Sequence, residues 1–291
     1  MRTRVWRARK ADLAPWLPPL STITVLLPLR AYAPRFLRSA LDSILEQTSP
    51  GWLLIVIVDE ENRPHFEALL APELSDPRVR LVVNQGRGLP GSLNTGMREA
   101  DSDFCAILLG DDVWSRNAVA VLEEQIAAHP EVDFFHSSRV MVDENDRAIA
   151  PPSQGKEVIR AEDFFGAPPL KHLLCWRRGL GLEIGGMDQS FRLVGPDDYD
   201  FPWCMAERGA AFRFIPEVLY LGREHRECYR LSTDPPLRER RREIVRMWRK
   251  HGAGILRAQI AGFRRVHLRS YRKRLARWRS MSRARLTRPG A

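Results

Sequence analysis

The stretch Phe104-Cys105-Ala106-Ile107-Leu108-Leu109-Gly110-Asp111-Asp112-Val113-Trp114 joins an apolar run to two adjacent carboxylates. Such a run, bounded by turn residues, predicts a buried strand that stops at Gly110. In an open α/β sheet, ligands sit beyond the carboxyl ends of the strands, so Asp111 and Asp112 fall where chemistry is done. Two hard oxygen donors suit Mg2+ or Mn2+, which bind one or two protein carboxylates together with substrate phosphates. The same spacing also fits an ordinary turn into a helix from Val113, with Asp112 as its N-cap.

The elements that must hold these carboxylates are legible on either side. Ile23 to Pro28 is a β-rich run stopped by proline, and Phe36-Leu37, Ala40-Leu41 and Ile44-Leu45 recur at helical spacing up to Gln47-Thr48. Trp52 to Val58 is almost wholly apolar, as in a parallel sheet covered on both faces, and it too ends on carboxylates, Asp59-Glu60-Glu61. Val79 to Val83 predicts a third strand, and Gly91 to Ala100 a helix leading into the Phe104 strand. The alternation predicts an α/β, doubly wound, mostly parallel sheet flanked by helices.

Composition narrows the function classes. Of the net charge of +10, residues 237–291 carry 19 Lys and Arg against two Glu, a net of +17, which leaves −7 for residues 1–236. An acidic body with a basic appendage argues against a uniformly basic nucleic-acid-binding domain. Cys105, Cys175, Cys204 and Cys228 form no C-x-x-C pair, which argues against a zinc ribbon or a disulfide framework and for reduced thiols. No apolar run reaches the ~18 residues of a membrane span and nothing resembles a secretory signal, so the expected location is cytoplasmic. We expect a basic N-terminal arm (1–21), a catalytic domain (22–235) and a basic helical tail (236–291), with the boundary at Ser232-Thr233-Asp234-Pro235-Pro236. In the tail Leu256, Ile260, Phe263, His267, Tyr271, Leu275 and Trp278 share one face at 100° per residue. A basic helix with that face suits the anionic inner surface of a membrane; docking on the body, a dimer contact or an RNA-binding arm are the alternatives.

One loop points elsewhere. Gly86-Arg87-Gly88-Leu89-Pro90-Gly91 matches G-x-G-x-x-G between a strand and a helix, with Asp111 about 20 residues on, as in an NAD site. Against an NAD-dependent oxidoreductase, the loop follows the third strand rather than the first, and Pro90 stiffens the turn that would wrap a pyrophosphate.

The order strand-Pro28, Gln47-Thr48, strand-Asp59-Glu60, Gly88-Leu89-Pro90-Gly91-Ser92-Leu93-Asn94-Thr95-Gly96 and Leu108-Leu109-Gly110-Asp111-Asp112 resembles the family 2 glycosyltransferases, which have the GT-A fold. The resemblance continues through Trp176-Arg177-Arg178, Gly185-Gly186-Met187-Asp188, Pro196-Asp197-Asp198-Tyr199-Asp200 and Arg223-Glu224-His225, covering about Thr22 to Ser232. It implies transfer of a sugar from a nucleoside-diphosphate sugar to a hydroxyl of a glycan or lipid-linked glycan, with inversion, as in polysaccharide biosynthesis. By resemblance, Pro28, Leu29, Arg30, Asp59, Gly88, Asn94 and Asp111 would hold the donor. Asp111, Asp112 and His225 would hold the metal, Asp197 and Trp176 the acceptor, and Asp198 would be the general base. Bland alternatives stand beside these roles: Asp197-Asp198 as a helix N-cap pair, His225 as a solvated or ion-paired residue, Trp176 as core. A catalytically silent GT-A-like binding module is the corresponding alternative for the whole chain. Two departures from the family pattern are visible. Leu109 replaces the first carboxylate of Asp-x-Asp, and Asp197 shortens the usual Glu-Asp of the base segment.

Overall fold

A computed structural model describes residues 23–30, 32–225 and 236–252 of the chain. The N-terminal arm, the amphipathic stripe from Leu256 to Trp278 and Cys228 lie outside the described residues.

Runs with almost no polar side chain become central strands, because only an interior can accept both of their faces. β1 (Ile23–Leu29), β2 (Trp52–Val58), β3 (Val79–Val83) and β4 (Phe104–Ile107) pair in parallel in the order β3-β2-β1-β4. Their crossovers are α1 (Pro34–Leu45), α2 (Arg63–Leu69) and α3 (Gly88–Glu99). The chain leaves β1 in one direction and returns on its other side, so the reversal falls between β1 and β4. That is where an open sheet leaves a crevice beyond its carboxyl ends. α3 begins at Gly88, three residues before the expected start.

The second half makes the sheet mixed. β5 (Val113–Trp114) is followed by α4 (Ala118–Ala128), β6 (Phe134–Val142), β7 (Leu174–Arg177), α5 (Arg178–Glu183), α6 (Phe201–Glu207), β8 (Phe212–Arg223) and α7 (Leu237–Lys250). β4 and β6 pair antiparallel with β7, β6 parallel with β8, and β5 antiparallel with β8, giving the order β3-β2-β1-β4-β7-β6-β8-β5. Val113 and Trp114 are therefore a strand opposite Leu221 and Tyr220, and the alternative of a helix capped by Asp112 is corrected. Trp114 is 2% exposed, and burying it against β8 outweighs the local turn preference of Gly-Asp-Asp.

Two apolar layers sandwich the sheet. Phe36, Leu37, Ala40, Leu41 and Ile44 of α1 cover one face with Phe66 of α2 and Leu122 of α4. Leu93 and Met97 of α3 cover the other face with Phe201, Trp203 and Met205 of α6. α7 belongs to this second layer through Ile244, Met247 and Trp248, so the core extends past residue 235. The indole N–H of Trp248 donates to Tyr199 Oη at 3.0 Å, and that hydroxyl donates to the Phe164 carbonyl at 2.7 Å. Burial drives the Cys105 and Cys204 thiols up to about 12 and the Cys175 thiol well above its ordinary value, leaving them inert.

The docking of α7 can be measured. Trp248→Ala should cost about 3–5 kcal/mol in urea unfolding, as for a buried aromatic, whereas exposed Val245→Ala should stay within about 0.5 kcal/mol of the parent. Equal urea midpoints for the two variants would mean that α7 does not belong to the core.

Candidate active site at the carboxyl ends of β1 and β4

The loop after β4 carries Asp111 and Asp112 to the end of β8, and the two carboxylates do different work. Asp112 is 6% exposed. Its Oδ2 accepts the Tyr220 hydroxyl at 2.7 Å and its Oδ1 the Arg223 backbone N–H at 2.7 Å. Both oxygens thus fasten β8 from a buried position. Next to Asp112, the Tyr220 hydroxyl is pushed well above its ordinary value by burial, and it remains a donor.

Asp111 has a partly exposed carboxylate whose Oδ2 lies 3.0 Å from His225 Nε2, while the His225 side chain is fully covered. The imidazole rests on Phe36, with ring centroids 4.6 Å apart. Arg223 braces the pair from behind. Its Nε donates to the Asp111 carbonyl at 2.9 Å, its Nη1 meets Asp146 at 2.6 Å, and its guanidinium lies 4.5 Å from the Phe36 ring centroid. One carboxylate and one imidazole, held by buried neighbours, fit Mg2+ or Mn2+ that takes its other ligands from substrate phosphates and water.

The expected donor residues divide. Leu29 is buried beneath Gly110, where an added Cβ would come within 2.7 Å of Leu29 Cδ2. It therefore supports the Asp111 loop rather than lining it. Pro28 is half-buried one residue earlier on β1. Asp59, at the end of β2, accepts the Asn84 amide at 3.0 Å, and largely exposed Arg30 lies 3.9 Å away. Gly88 is exposed at φ +61°, with its backbone open to a ligand. Asn94 corrects the expectation. Its Oδ1 accepts the Met187 N–H at 2.7 Å and its Nδ2 donates to the Met187 carbonyl at 2.8 Å. At 5% exposure it pins the Gly185-Gly186-Met187 segment to α3 and does not line a pocket.

Gly86 and Gly91 need their small size to pack on each other, since a Cβ on Gly86 would approach Gly91 Cα to 2.7 Å. β3 is an edge strand two strands from the β1/β4 crevice, and the G-x-G-x-x-G loop leads from it into α3, which packs on β1 and β2.

After Gly195, Pro196–Asp200 forms a π-helical turn in which Tyr199 and Asp200 both donate to the Gly195 carbonyl at 3.0 Å. Asp198 is not an N-cap there, and its Oδ1 folds over Gly195, where any Cβ would collide with it. Burial raises the Asp198 carboxyl above the ordinary carboxylate value, and neighbouring Asp197 raises it further. His172, Arg139 and Lys171 pull the other way. A raised carboxyl suits a proton acceptor. Asp197 is buried and 3.2 Å from His172 Nε2. The His172 ring packs 5.1 Å from that of Tyr220, so a continuous set of polar and aromatic groups links Asp111 and Asp112 to Asp197 and Asp198.

Trp176 is core, which corrects its expected contact with the acceptor. It is 1% exposed on β7 between Phe134 and Phe201, and its N–H donates to Met97 Sδ at 3.2 Å. Tyr220 and His172 were not singled out by spacing, since each lies on an apolar strand or a Pro-rich loop without a motif around it.

The model of glycosyl transferase family 2 matches residues 24–177. A succinoglycan biosynthesis protein, ExoW of Rhizobium meliloti, is 36% identical over 99 residues, 33% of this chain and 31% of that protein. A UDP-Glc:alpha-D-GlcNAc-diphosphoundecaprenol beta-1,3-glucosyltransferase of Escherichia coli is 30% identical over 120 residues, 39% of this chain and 45% of that protein. The chain thus spans less than half the length of these curated relatives. Among solved structures, the mannosyltransferase PcManGT of Pyrobaculum calidifontis, in complex with GDP-Man and Mn2+, superposes with a TM-score of 0.58 at 20% identity, over 92% of this chain and 76% of that one. S. aureus TarS with UDP-GlcNAc gives 0.60 at 17% identity, over 83% and 71%. These likenesses establish a GT-A-type α/β fold, and the sequence match over more than half of its length shows that the chain belongs to glycosyl transferase family 2.

Proposed function

We propose that the protein transfers a sugar from a nucleoside-diphosphate sugar to a hydroxyl of a glycan or lipid-linked glycan, with inversion at the anomeric carbon. The observation that carries this reading is the division of the carboxylates, with Asp111 paired to His225 on the β4 side and Asp198, raised by burial, on the other. Family membership sets aside the nicotinamide reading of the Gly86–Gly91 loop.

The chemistry asks each side for one thing. Asp59 and the exposed Gly88 backbone would hold the nucleotide. Mg2+ or Mn2+ held by Asp111 and His225 would supply positive charge against the charge developing on the departing diphosphate. Asp198, ionised, would accept the proton of the acceptor hydroxyl as its oxygen attacks the anomeric carbon and the bond from that carbon to the phosphate oxygen breaks on the opposite side. Asp197, 3.2 Å from His172 Nε2, would orient the acceptor. The relatives named for succinoglycan synthesis and for a lipid-diphosphate acceptor support the acceptor class.

Asp198→Asn should lower transfer by about 10²–10⁴-fold while UDP or GDP affinity survives. The sign of the stability effect is opposite. A carboxyl raised in the folded state favours folding below its unfolded value, and that contribution is lost as pH rises through the folded value, so at neutral pH the neutral Asn should not lower the melting temperature. In the parent, transfer should fall on acidification at a pH above the ordinary carboxylate range. Near-parental turnover in Asp198→Asn would place the base elsewhere.

The two loop carboxylates should separate. Asp111→Asn should abolish the Mn2+ dependence of nucleotide binding with little loss of stability. Asp112→Ala strands the Tyr220 hydroxyl and the Arg223 N–H, and should cost about 2–4 kcal/mol in urea unfolding. An unchanged Mn2+ response in Asp111→Asn would remove it from the site.

A further inference from the structure

The buried face of α7 carries a carboxylate among apolar residues. Glu243 lies beside Ile244, Met247 and Trp248, where a charged group must be fully hydrogen-bonded to be tolerated. Its partners are three consecutive backbone N–H groups: Arg192 at 3.0 Å on Oε1, and Leu193 at 2.8 Å and Val194 at 3.0 Å on Oε2. These lie immediately before Gly195 and the turn that presents Asp198. Seven residues after Glu243, Lys250 returns to the same side of the helix. Its ammonium bridges Asp188 at 3.1 Å and Asp200 at 2.8 Å, and Asp200 also meets His251 Nε2 at 3.0 Å. Trp248 holds Tyr199 between these two anchor points.

From this arrangement we infer that α7 is a positioning element of the active site: Glu243 and Lys250 grip the two flanks of the 188–200 segment and set the placement of the Asp198 carboxylate. The inference rests on the proposed role of Asp198 as base. Segment 188–200 forms one regular element, the turn at Pro196–Asp200, and α7 contacts it at Arg192–Val194, Asp188, Tyr199 and Asp200. A base displaced by about 1 Å loses on the order of 10²-fold in rate. The group Asp200, Cys204 and His251 is close enough to resemble a cation site. The Lys250 ammonium already sits on Asp200, and the Cys204 thiol, raised to about 12, stays protonated, so this cluster serves the same anchoring.

The test compares Glu243→Gln, which keeps size and one acceptor oxygen, with Lys250→Gln at a side chain 33% exposed, and with Lys250→Arg as rescue. Nucleoside diphosphate release from UDP-glucose and GDP-mannose with Mn2+ and a saccharide acceptor panel is measured beside UDP and GDP affinity. Hydrogen exchange of the 188–200 peptide is followed in parallel. Both Gln variants should lose roughly tenfold or more in kcat with nucleotide affinity within about twofold, Lys250→Arg should recover most of the loss, and exchange at 192–194 should quicken in Glu243→Gln. Turnover within about twofold of the parent in both folded Gln variants would overturn the inference, as would a loss that tracks nucleotide affinity. Should neither donor turn over, unchanged exchange of 188–200 in both Gln variants overturns it and quickened exchange supports it. Failure of the parent to bind UDP or GDP contradicts the glycosyltransferase reading instead.

Discussion

The site depends on one buried contact, the Asp112 carboxylate shared between the Tyr220 hydroxyl and the Arg223 amide. β4 and β8 are not neighbours in the sheet, since β7 and β6 lie between them. The two-residue strand β5 and this carboxylate bring the end of one to the end of the other, with Arg223 and His225 adding contacts to Asp111. A charge buried at this depth is tolerated because both oxygens are satisfied, and that requirement fixes the register of the β8 terminus. His225 follows Arg223 by two residues and so arrives on Asp111. The same terminus is also held by β6, since Glu224, next to His225, donates its backbone N–H to the Val142 carbonyl at 2.8 Å.

The electrostatics follow from the same frame. Arg223, at 1% exposure, is a buried cation whose Nε and Nη1 are directed at the Asp111 carbonyl and Asp146, leaving the Asp111 side chain turned toward His225. On the opposite flank, Asp197 and Asp198 lie side by side, and like charges this close cannot both be ionised cheaply. Burial raises the Asp198 carboxyl most and the neighbouring Asp197 adds to the rise, while His172, Arg139 and Lys171 oppose it. A protein built for stability alone would replace one of the pair. Retaining both is intelligible if one must take up a proton.

Much of this was legible from local pattern. Trp52–Val58 and Val79–Val83 are strands at the expected residues, because an apolar run between turn signals has few other places to go. Asp111, His225 and Asp198 were picked out by residue type and order, and the fold brings Asp111 and His225 within 3.0 Å of each other. What pattern could not show was pairing. Asp112 looks like a second ligand, and nothing local shows that Tyr220 and Arg223, over a hundred residues away, bond its two oxygens. Trp176 and Asn94 look like ligand contacts because aromatic and amide groups often are, yet β7 is central and α3 lies flush on the sheet, so both are interior. Glu243 sits in a run of arginines and reads as a surface charge, although its side chain faces three amides of a distant loop.

The central claim is that the crevice beyond β1 and β4 holds a nucleoside diphosphate through Asp111 and His225 with a divalent cation. Thermal unfolding of the full chain with UDP, GDP, dTDP or NAD+, each with and without Mn2+, tests it most directly. Any ligand that binds only the folded protein raises its melting temperature, by about 2.7 kcal/mol of stability at a hundredfold excess over Kd. The account predicts stabilisation by at least one nucleoside diphosphate, dependent on Mn2+, and none by NAD+. Stabilisation by NAD+ alone, or a nucleoside diphosphate response indifferent to Mn2+, would contradict it.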